Sequence, residues 1–181
     1  AEAIATSDCS VPPADAPEDW CSEWHGCYGS WLQNLSAAID QGVLLVIDYA
    51  LEAVRYYTSR RAEGTLMAYG GGAAGLDPLA SPGAQDLTSH VCIESLNAAA
   101  ASQGWQLLDQ RRQGEMVLAL GLAERLHALQ QLPPQKLPEA LQRREALLRL
   151  VDPAGLGEFR WLLYGRGAGA SSLSLQAAPD I

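Results

Sequence analysis

The stretch Gly42-Val43-Leu44-Leu45-Val46-Ile47-Asp48-Tyr49 decides the fold. Its five consecutive aliphatic residues, opened by a glycine and closed by a carboxylate, predict a strand buried on both faces, as in parallel sheets covered by helices. Asp48 and Tyr49 then lie at the strand end, and ligands of open α/β sheets gather outside the carboxyl ends of strands. This pair is therefore the first candidate for function. The alternative is that Asp48 only caps a helix starting at Ala50.

Composition excludes several classes of protein. The 181 residues contain enough apolar side chains for a buried core, and the formal net charge of -9 argues against a nucleic-acid partner. Four cysteines are too few for a disulfide scaffold in a chain of this length, so we expect a reducing compartment. The segment from Ala1 to Trp20 lacks the features of a signal peptide. The longest apolar run, Val43 to Val54, is interrupted by two carboxylates and is too short to span a membrane.

Other segments around the central strand show helical or strand patterns. Apolar spacing predicts a helix through Trp31 to Ile39 that precedes the central strand. Further predicted helices are one or two turns within Leu51 to Tyr57, Ile93 to Gln103, a long helix from Glu115 to Gln131 with Met116 and Leu120 inward, and Lys136 to Val151 with Leu137, Leu141 and Leu148 inward. Predicted strands are Gly64 to Tyr69, Trp105 to Asp109 and Phe159 to Tyr164. The glycine-rich Gly70 to Gly83 is predicted to be a loop.

A second polar cluster is Asp86-Leu87-Thr88-Ser89-His90-Val91. Ser, His and Asp so close in sequence cannot form a catalytic triad, because the three groups must converge from separate elements. In an extended segment, alternation sends Asp86, Thr88 and His90 to one face, which would form a pocket wall. The alternative is a capping network in which Asp86 or Thr88 bonds the free donors of the helix at Ile93.

A metal site is a further possibility near the amino terminus. Cys21, His25 and Cys27 place three zinc-ligand types close together. Their spacing fits no standard zinc module and no second ligand pair follows, so we predict that the chain holds no metal.

Several stretches, taken in order, resemble one family. They are Glu23 and Trp31 in the first helical region, the strand Val43 to Tyr49, Gly64-Thr65-Leu66, the segment Pro82 to Val91, Gly114 to Leu122, and Leu156-Gly157-Glu158-Phe159. Together they resemble the MidA-type S-adenosylmethionine-dependent methyltransferases, a family that includes the mitochondrial complex I assembly factor that methylates an arginine of a partner subunit. The most specific motif is Gln85 to Val91. The family's Asp-Tyr-Gly is Asp48-Tyr49-Ala50 in this chain, and its arginine- and histidine-rich stretch is replaced by Gly70 to Gly75.

The resemblance implies the carboxyl-terminal half of a class I methyltransferase sheet, an α/β Rossmann-like fold with flanking helices. Val43 to Tyr49, Trp105 to Asp109 and Phe159 to Tyr164 would be its fifth, sixth and antiparallel seventh strands. Residues 23–164 would form this domain, after a peripheral lead-in at 1–22 and before a disordered tail at 165–181. The family's glycine-rich turn, which binds the cofactor, has no counterpart here, so the cofactor-binding residues are unknown and a missing amino-terminal half or a complementary chain is implied. The edge strand left by that missing half would invite pairing with another chain.

The resemblance also implies a function and a site. The complete protein, in the bacterial cytoplasm or, in a eukaryote, the mitochondrial matrix, would use S-adenosylmethionine to methylate a protein side chain, an arginine of a partner subunit, during complex assembly. Asp86 and His90 would be catalytic, because a carboxylate holds a guanidinium and a histidine accepts a proton. The substrate side would be completed by five further residues: Asp48, Tyr49, Arg61, Thr65 and Thr88. The competing hypothesis is a non-catalytic assembly or interaction module that kept only this half of the sheet.

Overall fold

The computed structural model describes residues 10–70, 73–75, 77–168 and 175. The chain divides into two compact units. The first contains Ala1–Asp40 and Tyr49–Gln106, and the second contains Gln41–Asp48 and Leu107–Ile181. The central strand therefore ends at the point where the chain passes from one unit to the other. In the described part of the chain, no helix has the length and apolarity needed to cross a bilayer.

The described part of the first unit combines α-helices with short strands. Its helices are α1 (Tyr28–Ala38), α2 (Ala53–Tyr56) and α3 (Ile93–Ser102), and a 3-10 turn follows α2 at Ser59–Arg61. Strands β2 (Ala50–Leu51) and β6 (Val91–Cys92) pair in parallel, while β3 (Met67–Gly70) pairs antiparallel with both β4 (Ala73–Gly75) and β5 (Asp86–Thr88).

Two groups of buried side chains stabilise this unit. Leu51, Tyr56, Tyr57 and Cys92 form a cluster under α2, with Trp20 packed against it. Helices α1 and α3 contact each other, and the indole of Trp105, which follows α3, donates a hydrogen bond of 2.9 Å to Ser36 Oγ of α1. The first group includes Leu51 and Cys92, which are opposite each other on β2 and β6, so the core holds these two short strands together.

The second unit contains a three-stranded sheet in the order β1 (Gly42–Asp48), β8 (Arg160–Arg166), β7 (Gln106–Arg112). Strand β8 runs antiparallel to β1 along its whole length, with Gly42 opposite Arg166 and Asp48 opposite Arg160. The antiparallel orientation of the last strand is as predicted. Helices α4 (Gln113–Ala119), α5 (Leu122–Gln130) and α6 (Leu137–Arg149) complete the unit, with short 3-10 turns at Pro134–Lys136 and Leu156–Glu158.

Strand β1 is less buried than predicted. Val43, Leu45 and Ile47 are 46%, 41% and 41% exposed, whereas Leu44 and Val46 are partly buried. Successive side chains of a strand point to opposite faces, so one face of β1 is open and the other is partly covered. The prediction of a strand buried on both faces is wrong.

The predicted helices differ from the structure in two places. The long helix Glu115 to Gln131 is two helices, α4 and α5, because Gly121 between them has a φ of +86°, which is not helical. Leu120, predicted inward, is exposed, whereas Met116 is buried. Leu137, Leu141 and Leu148 of α6 are also exposed, because the buried stripe of that helix runs through Ala140.

Both capping alternatives are wrong. The helix after the central strand begins at Ala53 with Glu52 as its N-cap, so Asp48 does not cap it. Helix α3 has Cys92 as its N-cap and no side-chain capping hydrogen bond, so neither Asp86 nor Thr88 caps it.

The segment Gly70 to Gly83, predicted to be a loop, contains the short strand β4. The predicted tail begins within β8, which continues to Arg166. Of the remaining predicted tail, residues 169–174 and 176–181 lie outside the described residues, as do residues 1–9 of the lead-in.

Candidate acceptor site

Tyr49 and His90 come together where β2 and β6 begin. The Val91 amide donates a 2.7 Å hydrogen bond to the Tyr49 carbonyl, which starts the parallel pairing of Ala50 with Val91. The two aromatic rings, each immediately before its strand, have centroids 5.8 Å apart and are tilted by 55°. The structure therefore places one residue from each of the two predicted polar segments side by side.

Thr65 connects this pair to the interior of the unit. Its hydroxyl accepts a 2.9 Å hydrogen bond from the His90 amide and donates one of 3.0 Å to Glu23 Oε2. Thr65 is buried, at 8% exposed, so its hydroxyl makes both bonds away from bulk water. The backbone of His90 is thereby connected through one threonine to the Glu23 carboxylate, which is distant in the sequence.

The Glu23 carboxylate accepts four hydrogen bonds. Oε1 accepts from the Thr65 and Leu66 amides at 2.6 and 2.7 Å, and Oε2 accepts from the Tyr56 hydroxyl at 2.6 Å and the Thr65 hydroxyl at 3.0 Å. An ionised carboxylate offers about four lone-pair positions, so this one is saturated. Glu23 therefore holds the Gly64-Thr65-Leu66 turn in place and has no capacity left for a ligand.

Gly64 permits this arrangement because it has no side chain. Its φ is +86°, and a Cβ built there would lie 2.6 Å from Glu23 Oε1. The turn thus needs glycine both for its backbone conformation and for the close approach of the carboxylate.

Tyr56 and His25 extend the hydrogen-bond chain. Ionised Glu23 only accepts, so the Tyr56 hydroxyl donates its proton to Oε2 and its oxygen then accepts from His25 Nε2, 3.2 Å away. This assigns the proton of the His25 imidazole to Nε2. The His25 ring stacks on Tyr28 with a centroid distance of 4.8 Å. We refer to Glu23, His25, Tyr56 and Thr65 as the Glu23 cluster.

The pKa values in the Glu23 cluster follow from burial and these hydrogen bonds. Burial alone would raise the pKa of Glu23, but the bonds from Tyr56 and Thr65 outweigh it and hold that pKa below its ordinary value. Burial lowers the pKa of His25, and the negative charge of Glu23 offsets this only in part. Burial and the bond to Glu23 raise the pKa of Tyr56, so its hydroxyl remains a proton donor. The cluster is thus a carboxylate, a phenol and a neutral imidazole near neutral pH.

Asp86 and Thr88 lie on β5, which is hydrogen-bonded to β3. Asp86 is opposite Tyr69 and Thr88 is opposite Met67, so the two side chains point to the same face. Asp86 is exposed and Thr88 is partly buried. The strand ends at Thr88, so strand alternation does not fix the His90 side chain. Thr65 bonds the His90 backbone amide, and the His90 ring packs against the Tyr49 ring.

The two remaining predicted substrate-side residues lie elsewhere. Asp48 belongs to the second unit, where it is exposed and directly opposite Arg160 on the neighbouring strand. Arg61 is in the first unit, and its Nη1 donates to the Arg55 carbonyl at 2.8 Å and to Thr58 Oγ1 at 3.4 Å. Among the predicted site residues, His90 contacts Tyr49 through its ring and Thr65 through its backbone amide.

The described residues do not gather metal ligands. No group of three or more His, Cys, Asp or Glu side chains among them is placed to hold an ion. Of the three ligand candidates, His25 bonds Tyr56 through Nε2, and Cys21 and Cys27 are exposed free thiols.

The described residues also lack the geometry of a cofactor cradle. Strand β1 continues through Tyr49 into β2, and β6 runs directly into α3, so in these ranges no strand leads through a glycine-rich turn into a helix. The glycines at 70 and 75 belong instead to the β3–β4 hairpin, and a Cβ on Gly70 would meet Gln85 at 2.9 Å. The residues present therefore do not fit the amino-acid end of S-adenosylmethionine.

Sequence reasoning quoted Glu23 within a motif but gave it no role, and it gave Tyr56 none. The glycine before Thr65 could have indicated a role for Glu23. A left-handed turn exposes consecutive backbone amides, and these need a hydrogen-bond acceptor.

Comparison with known proteins identifies the family. A family model described as "Putative S-adenosyl-L-methionine-dependent methyltransferase" matches residues 4–110, more than half of the chain. The chain belongs to this methyltransferase family. The match confirms the resemblance to MidA-type methyltransferases, and S-adenosylmethionine is the cofactor of the family, as predicted. A comparison with curated proteins gives no match.

Two solved structures from Burkholderia thailandensis are similar to this methyltransferase-family chain. One, described as a "likely methyl transferase" bound to S-adenosyl-homocysteine, is 29% identical with a TM-score of 0.73, and the match covers 84% of this chain and 39% of that one. The other, described as an uncharacterized protein of the same superfamily, is 28% identical with a TM-score of 0.74, covering 88% and 42%. The chain spans about two fifths of the length of these proteins. The similarity confirms the predicted class I methyltransferase-like α/β fold.

Proposed function

We propose that this chain forms the acceptor side of a methyltransferase that modifies an arginine side chain of a partner protein. The cofactor side would come from residues outside the chain, either the preceding part of the same polypeptide or a complementary chain. The observation that supports this most directly is that His90, just before β6, contacts both the Tyr49 ring and the Thr65 hydroxyl.

Methyl transfer depends mainly on holding the acceptor atom close to the reactive carbon and in line with it. In the proposal, the Asp86 carboxylate binds the guanidinium, because paired charges and two oxygens suit its planar donors. S-adenosylmethionine would supply the methyl group and leave as S-adenosylhomocysteine when its methyl–sulfur bond breaks. The guanidinium nitrogen that gains the methyl group would lose one proton, which the His90 ring nitrogen would accept. Tyr49 packs against that ring, and Thr65 holds the His90 backbone. Thr88, which lies on the same strand face as Asp86, completes the proposed substrate contacts.

The test compares histidine variants in the protein that includes the cofactor-binding residues. His90→Gln should lower kcat for transfer of a labelled methyl group by about a hundredfold, the scale of a lost general base. His127→Gln removes an exposed histidine from α5 and should leave kcat unchanged. Mass spectrometry of the acceptor should find methylarginine. Equal kcat values for the two variants, or a methyl group on another residue type, would contradict the proposal.

A second candidate is a non-catalytic assembly module. It is favoured because, within the described residues, no strand is followed by a glycine-rich turn and a helix. Two observations separate it from the enzyme. If the coding sequence upstream of Ala1 encodes a strand followed by Gly-x-Gly and later Asn-Glu, the enzyme is supported; a start codon immediately upstream supports the module. We also expect the isolated chain to bind S-adenosylmethionine more weakly than micromolar in isothermal titration, and tighter binding would show that the cofactor site is within these residues.

A further inference from the structure

Tyr69 lies directly opposite Asp86 on the antiparallel strands β3 and β5. Directly opposed side chains of such a pair point to the same face, with their Cβ atoms about 5 Å apart. Tyr69 is 45% exposed and Asp86 is also exposed, whereas Ala68, which points to the other face of β3, is 1% exposed. An aromatic ring and a carboxylate are therefore neighbours on the open face of β3.

Both side chains are available to a ligand. Within the described ranges, the Asp86 carboxylate makes no ion pair or hydrogen bond, and the Tyr69 ring makes no aromatic contact. A single exposed aromatic side chain is common on protein surfaces and needs no explanation. An exposed ring beside a carboxylate, however, has the two components that bind an organic cation.

The register of the two strands connects this pair to the candidate acceptor site. Continuing the pairing of Tyr69 with Asp86 along the same register, beyond the ends of the two strands, brings Thr65 opposite His90. The Thr65 hydroxyl accepts a 2.9 Å hydrogen bond from the His90 amide, so the two segments remain connected there. Tyr69 and Asp86 thus lie on the same two-stranded ribbon that leads to His90.

The chemistry of the pair fits a guanidinium better than an ammonium. A guanidinium is planar, so its face can stack on a phenol ring while its edge donates two hydrogen bonds to a carboxylate. A lysine ammonium is a compact, strongly hydrated charge without a flat face, so it gains less from the ring. The ring therefore supplies a preference between two cations that a carboxylate alone would bind on charge.

We propose that Tyr69 is a substrate-binding residue that selects arginine over lysine by stacking on the guanidinium held by Asp86. This inference rests on the proposed function for the role of Asp86. Tyr69 takes no part in proton transfer, so it should contribute to the binding of the acceptor and not to the rate of the chemical step.

The experiment follows the backbone amide NMR signals of the 181-residue chain during titration with N-acetylarginine amide, N-acetyllysine amide or N-acetylcitrulline amide. The arginine probe should shift the signals of Tyr69 and Asp86 and bind more tightly than the lysine probe, and the uncharged citrulline probe should not bind. Tyr69→Leu should weaken binding of the arginine probe about two- to fivefold, the size of an exposed cation–π contact, and reduce its preference over lysine. Tyr69→Phe keeps the ring and should bind as the wild type does.

Leu87→Ala is the matched control. Leu87 is 55% exposed and follows Asp86 on β5, where it points to the other face, so its loss should leave binding of the arginine probe unchanged. Unchanged binding by Tyr69→Leu, or equal weakening of the arginine and lysine probes, would overturn the inference and leave the role of Asp86 intact. If the arginine probe did not bind the wild type, or bound Asp86→Asn equally well, the inference and the proposed role of Asp86 would both be wrong.

Kinetics provide a second measurement in the protein that includes the cofactor-binding residues. Tyr69→Leu should raise KM for an arginine acceptor about two- to fivefold and leave kcat unchanged, because it removes a contact made equally before and during methyl transfer. A lower kcat with unchanged KM would contradict the inference. Binding of the arginine probe that depends on Tyr69, in a protein that transfers no methyl group to arginine, would support the inference and contradict the proposed function alone.

Discussion

Gly64 occupies a backbone conformation that leaves no space for a side chain. Gly64→Ala should cost about 1–2 kcal/mol for the positive φ of +86°. It should cost about 1–3 kcal/mol more because the new Cβ would lie 2.6 Å from Glu23 Oε1 and displace the carboxylate. Urea denaturation of both proteins measures the total loss of stability.

Gly83→Ala is the matched control for this substitution. Gly83 has nearly the same φ, +81°, but no atom lies within 4 Å of its ideal Cβ. It should therefore show the conformational cost without the steric one. If the two alanine variants were equally stable, the close approach of Glu23 to this turn would be wrong.

The lowered pKa values of His25 and Glu23 predict how the free energy of unfolding depends on pH. Because burial lowers the pKa of His25 in the folded state, the unfolded chain binds its proton first, and stability should fall as pH drops below about 6.5. The pKa of Glu23 is also lowered, so its contribution is present above pH 4.5 and is lost as pH falls through the folded value. Unfolding free energies measured between pH 8 and 3 should decline in two stages.

Two variants separate the stages. His25→Gln keeps a donor near the Tyr56 hydroxyl but cannot titrate, so it should remove the decline that begins below about pH 6.5. Glu23→Gln should be less stable at pH 7, because a carboxylate with charge-assisted hydrogen bonds is lost, and should show a smaller decline at acidic pH. A His25→Gln curve parallel to wild type over the whole range would contradict the assignment of the neutral imidazole.

At the scale of elements, the 3-10 turn Leu156–Glu158 packs against the start of α4. Gln113 Nε2 donates to the Leu150 and Leu156 carbonyls, and the Gln113 amide donates to the Phe159 carbonyl. A Cβ on Gly157 would lie 2.6 Å from the Val151 carbonyl carbon and 2.7 Å from the Asp152 oxygen, both backbone atoms. Gly157→Ala should therefore destabilise the protein by about 1–3 kcal/mol or more, because backbone moves less easily than a side chain.

Gly155 provides the control within the same turn. The nearest atom to its ideal Cβ is Asp152 Oδ2 at 3.8 Å, an ordinary contact, so Gly155→Ala should change stability little. Thermal denaturation of both variants tests the difference. A Gly157→Ala protein as stable as the Gly155→Ala protein would show that this turn can move away from Val151.

The elements also show what the sequence could and could not predict. Apolar spacing located α1, α3, β1, β7 and β8 to within a few residues, because each has a continuous pattern ended by glycine or a polar residue. The same spacing continues across Gly121, so it predicted one helix where the structure has α4 and α5. A hydrophobic pattern carries no information about the backbone angle of a single residue, here a φ of +86°. Periodicity also cannot tell which stripe of α6 is covered, so Leu137 and Leu141 were placed inward although Ala140 is the buried residue.

The contacts at the candidate site join residues that are far apart in the sequence, and no local sequence pattern predicts such contacts. The meeting of Tyr49 and His90 was predicted through the family resemblance, whereas alternation alone left Asp86, Thr88 and His90 undecided between a pocket wall and a cap. The Glu23 cluster was missed because Glu23 and Thr65 are separated by 42 positions and meet only in the folded unit. Polar residues at such sites carry little local signal because their partners are set by the fold.

For the whole molecule, the open face and edge of β1 are the features that a second chain would contact. Within the described residues β1 pairs with β8 alone, and Val43, Leu45 and Ile47 are each at least 41% exposed. An apolar edge strand is a template for pairing with another chain, and lysine on such a strand opposes it. Leu45→Lys should therefore reduce self-association of the chain in sedimentation velocity. Because Leu45 is already 41% exposed, the folding free energy should change by less than about 1 kcal/mol.

Leu118→Lys is the control, because Leu118 is a leucine of the same unit, 61% exposed, but it lies on α4 and not on a strand edge. Both variants add one positive charge to a chain of net charge -9, so a general effect of charge on solubility would appear in both equally. A decrease in association confined to Leu45→Lys assigns the contact to β1. Equal decreases would assign it to charge, and no association of the wild-type chain at micromolar concentration would mean that β1 is not a pairing edge in solution. If association decreases only for Leu45→Lys, a polypeptide that supplies the cofactor side of the sheet should also suppress self-association of the wild-type chain, because it would occupy the edge that the lysine blocks.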